Sequence, residues 1–120
     1  KKKKKGMEAL VSESLLAARH YGVDAAVLSS LNNLFPRPDW PDHARYLISR
    51  TLQHGTRRAA EMREVARTVS EAGIDPWMSE ACVLRQDWAP QFSDRLGEET
   101  LDGLLDAMLA QLANPSEEND

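Results

Sequence analysis

Gln53-His54-Gly55-Thr56-Arg57-Arg58-Ala59-Ala60-Glu61-Met62-Arg63-Glu64-Val65-Ala66-Arg67-Thr68 is the stretch from which the fold is read. Ala59, Met62, Val65, Ala66 and Val69 recur at the spacing of a helix with about 3.6 residues per turn. At about 100° per residue, Arg58 falls near the middle of that apolar stripe and Glu61 near its edge. His54 shares the same edge if the helix runs back across Gly55. Two arginines in a first turn are out of place, because unpaired N–H groups make a helix start positive and favour anions there. Arg57 and Arg58 therefore call for a carboxylate or a bound anion. Glu61 is spaced to answer one of them, standing three residues from Arg58 and four from Arg57. Two readings follow. One is an internal ion pair, or arginines whose stems lie along the core with their heads in water. The other is half of an anion-binding pocket whose remaining half lies outside this chain.

Working outward, the helical rhythm fills the chain. From Gly6, the residues Met7, Leu10, Val11, Leu15 and Ala18 form a core stripe, with Glu8, Glu13 and Arg19 turned away. Gly22 suits the left-handed position that ends this helix. Asp24 caps a second helix carrying Val27, Leu28, Leu31, Leu34 and Phe35. Asp39-Trp40-Pro41 opens a third, with Ala44, Leu47, Ile48, Thr51 and Leu52 inside and Pro41 in the first turn. Gly55 either separates this helix from the fourth or only bends it, since an interior glycine costs just about 1 kcal/mol. Asp75-Pro76 starts a fifth, bringing Trp77, Ala81, Val83, Leu84 and Trp88 inward until Ala89-Pro90 ends or kinks it. A last helix from Glu98 turns Leu101, Leu104, Leu105, Met108, Leu109 and Leu112 inward. No strand rhythm appears. The expectation is an all-α, compact bundle of about six helices over residues 6–113, with a basic tail at 1–5 and a disordered acidic tail at 114–120.

Composition excludes several functions. The 120 residues suffice for one small domain, and 42% hydrophobic with 28% charged residues is ordinary for a globular chain. Acidic residues outnumber basic ones 19 to 15, and the formal charge moves from −4 to −8 once the four charges of Lys1–Lys4 are set aside. Such a body is a poor partner for duplex nucleic acid. The lysine run reads as a tag or placeholder. The single Cys82 forms no internal disulfide, so a cytoplasmic protein is expected. No apolar run approaches the roughly 18 residues of a membrane span.

Few residues carry chemistry of their own. The glycines are too scattered to cradle a pyrophosphate. His20, His43 and His54 lie on separate segments without metal-ligand spacing. Cys82, between Ala81 and Val83, reads as a small core residue, and Glu61 with Glu64 as a solvated pair. Trp77 and Trp88 are assigned to the core, and Trp40 to a surface contact.

The series Lys5-Gly6-Met7-Glu8-Ala9-Leu10, Tyr21-Gly22-Val23, Asp39-Trp40-Pro41 and His54-Gly55-Thr56-Arg57-Arg58-Ala59-Ala60-Glu61-Met62-Arg63-Glu64 resembles the helical C-terminal domain of 6-phosphogluconate-dehydrogenase-like oxidoreductases, in the wider β-hydroxyacid dehydrogenase group. The match spans about Lys5 to Gln91. The resemblance implies a parent enzyme whose N-terminal Rossmann domain holds NAD or NADP, with no cofactor in this chain. It implies a catalytic lysine upstream of the Lys5-Gly6 match, hence no catalytic residue here. It places substrate contacts on the helix of Arg57, Arg58 and Glu61, with His54 a polar neighbour, and so an anionic small-molecule substrate such as a hydroxy acid. It also implies a homodimer, while the acidic balance and the lack of a long apolar run lead to the expectation of neither nucleic-acid nor membrane partners. Without its dinucleotide fold the chain is not a dehydrogenase by itself. The rival expectation is a free-standing helical module that binds a protein through Trp40.

Overall fold

The computed structural model describes the backbone of residues 2–114 and the side chains of residues 5–114. Among these residues the chain is all α, as the periodicity implies: α1 (Lys2–His20), α2 (Asp24–Leu34), α3 (Trp40–Glu71), α4 (Trp77–Trp88), a 3-10 helix (Ala89–Arg95) and α5 (Leu101–Ala113). The expected third and fourth helices are one element of 32 residues. Gly55 does not break it. A Cβ at position 55 would overlap the backbone carbonyl oxygen of Gln86 and lie 2.8 Å from Pro90 Cδ, so the glycine lets α3 and α4 approach closely. Pro90 ends α4 as expected, and the chain tightens there into the 3-10 helix.

The molecule measures 43 × 41 × 22 Å, roughly two helix diameters thick. α3 runs through it and packs on α1, α4, α5 and the 3-10 helix. The main core gathers Leu15 and Leu16 of α1, Leu47, Ile48 and Leu52 of α3, Phe92, and Leu104, Leu105 and Met108 of α5. Ala9, Met62 and Cys82 form a smaller cluster at the other side of the Gly55 crossing. Thr100 caps α5 by accepting from the Gly103 N–H at 3.0 Å. Gly22 adopts φ +71° after α1, the left-handed turn its position calls for.

Several burial expectations are overturned. α1 is rotated from its apolar-only stripe: Glu8 is 0% exposed while Leu10 is 56% exposed. The reason is that Glu8 faces a buried cation on α3. Trp40, expected at the surface, is buried, its indole N–H donating to the Phe35 carbonyl at 2.8 Å. Trp77, expected inside, is 73% exposed, and Leu84 of the same helix is 74% exposed. α4 instead turns Cys82 and Gln86 inward. Trp88 does pack inward, edge-on to Phe92 at 4.7 Å between ring centres. Leu34 and Phe35, expected inside, are exposed, while Val27 and Leu28 of α2 pack against the main core and Asp24 is buried beside Arg19. Asp39 precedes α3 as expected, but Arg37 rather than the helix takes its carboxylate, at 2.6 Å. Pro76, not Asp75, is the last residue before α4. The basic stretch is helical from Lys2, and Lys5 is buried, so the folded domain includes at least that lysine. The tail expected at 114–120 lies outside the described residues beyond Asn114.

Candidate functional site

Burying a guanidinium in the stripe of α3 requires an anion beside it, and α1 supplies one. Arg58 Nε stands 2.7 Å from Glu8 Oε1, and Arg58 Nη2 donates to Glu8 Oε2 at 3.3 Å. The side chains are 8% and 0% exposed, so the pair is held out of water. The shorter contact is an ion pair whose N–H points off the line to oxygen. Glu8 also holds α1 in shape, its carbonyl accepting from the Ser12 hydroxyl at 2.8 Å.

One turn further along α3, Glu61 is shared. Its Oε2 lies 2.5 Å from Lys5 Nζ, and its Oε1 lies 3.5 Å from Arg57 Nε. Lys5 hydrogen-bonding, followed by the charges of Lys5, Arg57 and Arg58, holds the Glu61 carboxyl below its ordinary range. The backbone carbonyl of Lys5 accepts from Gln86 Nε2 at 3.0 Å and from the Cys82 thiol at 3.5 Å. The start of α1 is thereby tied to α3 by a side chain and to α4 by its backbone.

Of the expected site residues, Arg58 and Arg57 thus part company. Arg58 is engaged internally by Glu8, not by Glu61. Arg57 is 62% exposed and answered by Glu61 only at 3.5 Å. His54 lies between them in the stripe Arg50, His54, Arg57 and Arg58, spaced to share one side of α3. Its imidazole is pushed below the ordinary histidine value, first by burial and then by Arg50, Arg57 and Arg58. Arg50 Nε is buried with no hydrogen-bond partner among the described residues. In a chain with a formal charge of −4, this is a concentration of cations beyond its local carboxylates.

Pattern reasoning missed Lys5, Glu8, Arg50 and Gln86. Glu8 was legible in principle: Glu8, Ser12, Leu15 and Leu16 make a second stripe along α1, which a count of apolar residues alone rejects.

The arrangement gathers positive charge along one side of α3. No group of three or more His, Cys, Asp or Glu side chains that could hold a metal occurs among the described residues. The Cys82 thiol is pushed above its ordinary value, chiefly by burial and then by Glu8, and stays protonated at neutral pH. The described residues contain no strand and no glycine-rich strand-to-helix turn, so they offer no cradle for a dinucleotide. Nor is any of their helices long and apolar enough to cross a membrane. Two of the surface grooves lie along α4. One of about 440 Å³ between α3 and α4 is walled by Arg63, Arg67, Ser70 and Glu80. The other, of about 500 Å³ between α1 and α4, is lined by Met7, Leu10, Met62, Met78 and Ala81 among others. Neither of these two is lined by His54, Arg57, Arg58 or Glu61.

Residues 18–88 match the model of the family DUF1932, a domain of unknown function. The chain belongs to this family. DUF1932 is the helical C-terminal domain of 6-phosphogluconate dehydrogenase-like proteins. A crystal structure of a conserved hypothetical protein from Sinorhizobium meliloti 1021 is similar, at 31% identity and a TM-score of 0.75 over 92% of this chain. The chain spans 38% of the length of that protein. No curated protein matches it.

Proposed function

We propose that this DUF1932 domain is the substrate-binding and dimerisation domain of an NAD(P)-dependent oxidoreductase acting on a hydroxy acid or a related anionic carbonyl compound. The observation that carries the proposal is the cationic side of α3, where Arg57 is 62% exposed beside Arg50 and His54 and, among the described residues, is answered by Glu61 at 3.5 Å. Placed against a preceding nucleotide-binding domain, this side would close a crevice around the substrate's carboxylate or phosphate. Arg57 would hold the anion. Glu61, steadied by Lys5, would orient Arg57, and Arg58 with Glu8 would fix the helix behind them. NAD or NADP, held by the N-terminal domain, would supply hydride chemistry, and this chain's residues would bind, orient and exclude water. The rival reading of a free module docking through Trp40 loses its anchor, since that indole is 4% exposed.

The test is steady-state turnover of the full-length parent with NADH or NADPH and a panel of small hydroxy and keto acids. Arg57→Ala is expected to raise KM at least tenfold, about 1.4 kcal/mol of lost binding, with Arg57→Lys in between. Unchanged KM and kcat in Arg57→Ala would overturn the substrate role.

A further inference from the structure

The groove between α1 and α4 gathers the sulfur of the chain. Met7 of α1, Met62 of α3, and Met78 and Cys82 of α4 all line its volume of about 500 Å³. They are three of the four methionines and the one cysteine among 120 residues. Three contacts bring them to one place within it. Cys82 and Met62 are each 5% exposed and pack in one buried cluster. Met78 stands one turn before Cys82 on α4, which sets their Cβ atoms about 5–6 Å apart on one side of the helix. Met78 is 81% exposed, and its unbranched thioether is free to swing over the thiol. The first turns of α1 reach the same spot, since the Lys5 carbonyl, two residues before Met7, accepts from the Cys82 thiol at 3.5 Å.

We propose that these four sulfurs form a site for a soft monovalent cation, copper(I) or silver(I), with Cys82 as its anionic ligand and the thioethers of Met7, Met62 and Met78 as its neutral ones. Donor type and charge balance choose the metal. Thiolate and thioether sulfur select soft cations, whereas harder metals call for nitrogen and oxygen donors. No three His, Cys, Asp or Glu side chains gather among the described residues. The carboxylate on the groove wall, Glu13, is taken by Arg85 at 2.7 Å, and these two charges cancel. On binding, the Cys82 S–H bond breaks, a sulfur–metal bond forms and the proton leaves to water, with no electron transferred. One thiolate and one monovalent cation make a neutral unit, which an apolar groove holds without burying net charge. A divalent ion would leave a positive charge uncompensated there. The site uses none of the residues invoked in the function proposed above, so the two stand or fall separately.

The experiment is an anaerobic titration of the 120-residue chain with copper(I) buffered by the coloured chelator bicinchoninate, repeated with silver(I) as competitor. Wild type is expected to take one equivalent of copper(I) from the chelator, to release one proton as it does so, and to give the copper up to silver(I). Cys82→Ser is expected to weaken binding more than about 100-fold, since losing a ligand exceeds the roughly 10–100-fold cost of losing a group that supports one. Met78→Leu, at a position exposed enough to leave the fold intact, is expected to weaken it about tenfold or more. Met108→Leu makes the same change in the main core, outside the groove, and is expected to bind as wild type does. Copper(I) that stays with the chelator in wild type overturns the site. So does binding in Met78→Leu equal to that in wild type and Met108→Leu, because the thiol would then be acting alone.

Discussion

Removing either partner of the Glu8–Arg58 pair tests whether that pair holds the two halves of the bundle together. Glu8→Leu keeps the volume of the side chain but takes the carboxylate from a guanidinium that is 8% exposed. A buried charge deprived of its partner costs about 3–5 kcal/mol, a large share of the roughly 5–15 kcal/mol that stabilises a domain. At this size each kcal/mol moves the midpoint by about 3–5 °C, so the expected loss is about 10–20 °C. Arg58→Met is expected to lose a similar amount, since Glu8 is 0% exposed. The double variant removes both charges from an apolar seam beside Ala9 and Met62, and such replacements fall within about 1 kcal/mol of the original or stabilise it. Urea unfolding of the four proteins, followed by circular dichroism, closes the cycle, with a coupling of about 3 kcal/mol or more expected. If the double variant loses the sum of the two single losses, the pair is not the unit described, and Arg58 owes its burial to something else.

The remaining predictions concern single contacts. Glu61 has an ordinary value of 4.5 that Lys5, Arg57 and Arg58 lower in the folded chain, so its contribution is complete above that value and lost as pH falls through the lower folded one. Thermal midpoints of Glu61→Gln should therefore lie below wild type at neutral pH and converge with it in acid; a gap independent of pH would contradict the ion pairing. Gly55→Ala should destabilise by about 1–3 kcal/mol in urea titration despite the better helix propensity of alanine, because the methyl meets the Gln86 carbonyl and Pro90. Stabilisation would show that α4 yields at the crossing. Cys82 should alkylate slowly at neutral pH and rapidly in urea, being 5% exposed with its thiol value raised by burial. Equal rates in both would mean that the α1–α4 seam opens freely.

What the sequence disclosed depended on whether one segment sufficed to decide it. Helix existence, the Gly22 turn, the Pro90 stop and the place of Arg58 in the apolar stripe are set within a few residues of chain, and all were legible. Gly55 was not, because its role is defined by Gln86 and Pro90, more than 30 residues away. The inward side of α1 was misjudged for the same reason. Glu8 is buried only because Arg58, 50 positions later, arrives opposite it. Trp40 and Trp77 exchanged their expected places since indoles serve cores and interfaces alike, and composition does not choose between them. In α4 the outward stripe looked like core because its pattern is that of core, and nothing among the described residues covers it.

The same logic separates the two arginines that drew attention first. Arg58 is saturated: a substrate anion competing for it would have to displace a carboxylate already buried at 2.7 Å, and would leave Glu8 to be accommodated elsewhere. Arg57 faces no such competitor, because Glu61 is 37% exposed and is drawn more closely to Lys5. An incoming anion can therefore meet Arg57, with Arg50 and His54 beside it, while Glu61 stays with its lysine. Under the proposed function the division puts substrate affinity on Arg57 and helix position on Arg58, so substitutions at the two sites should fail differently. Arg57 variants should lose binding with an intact fold, and Arg58 variants should lose the fold in step with binding.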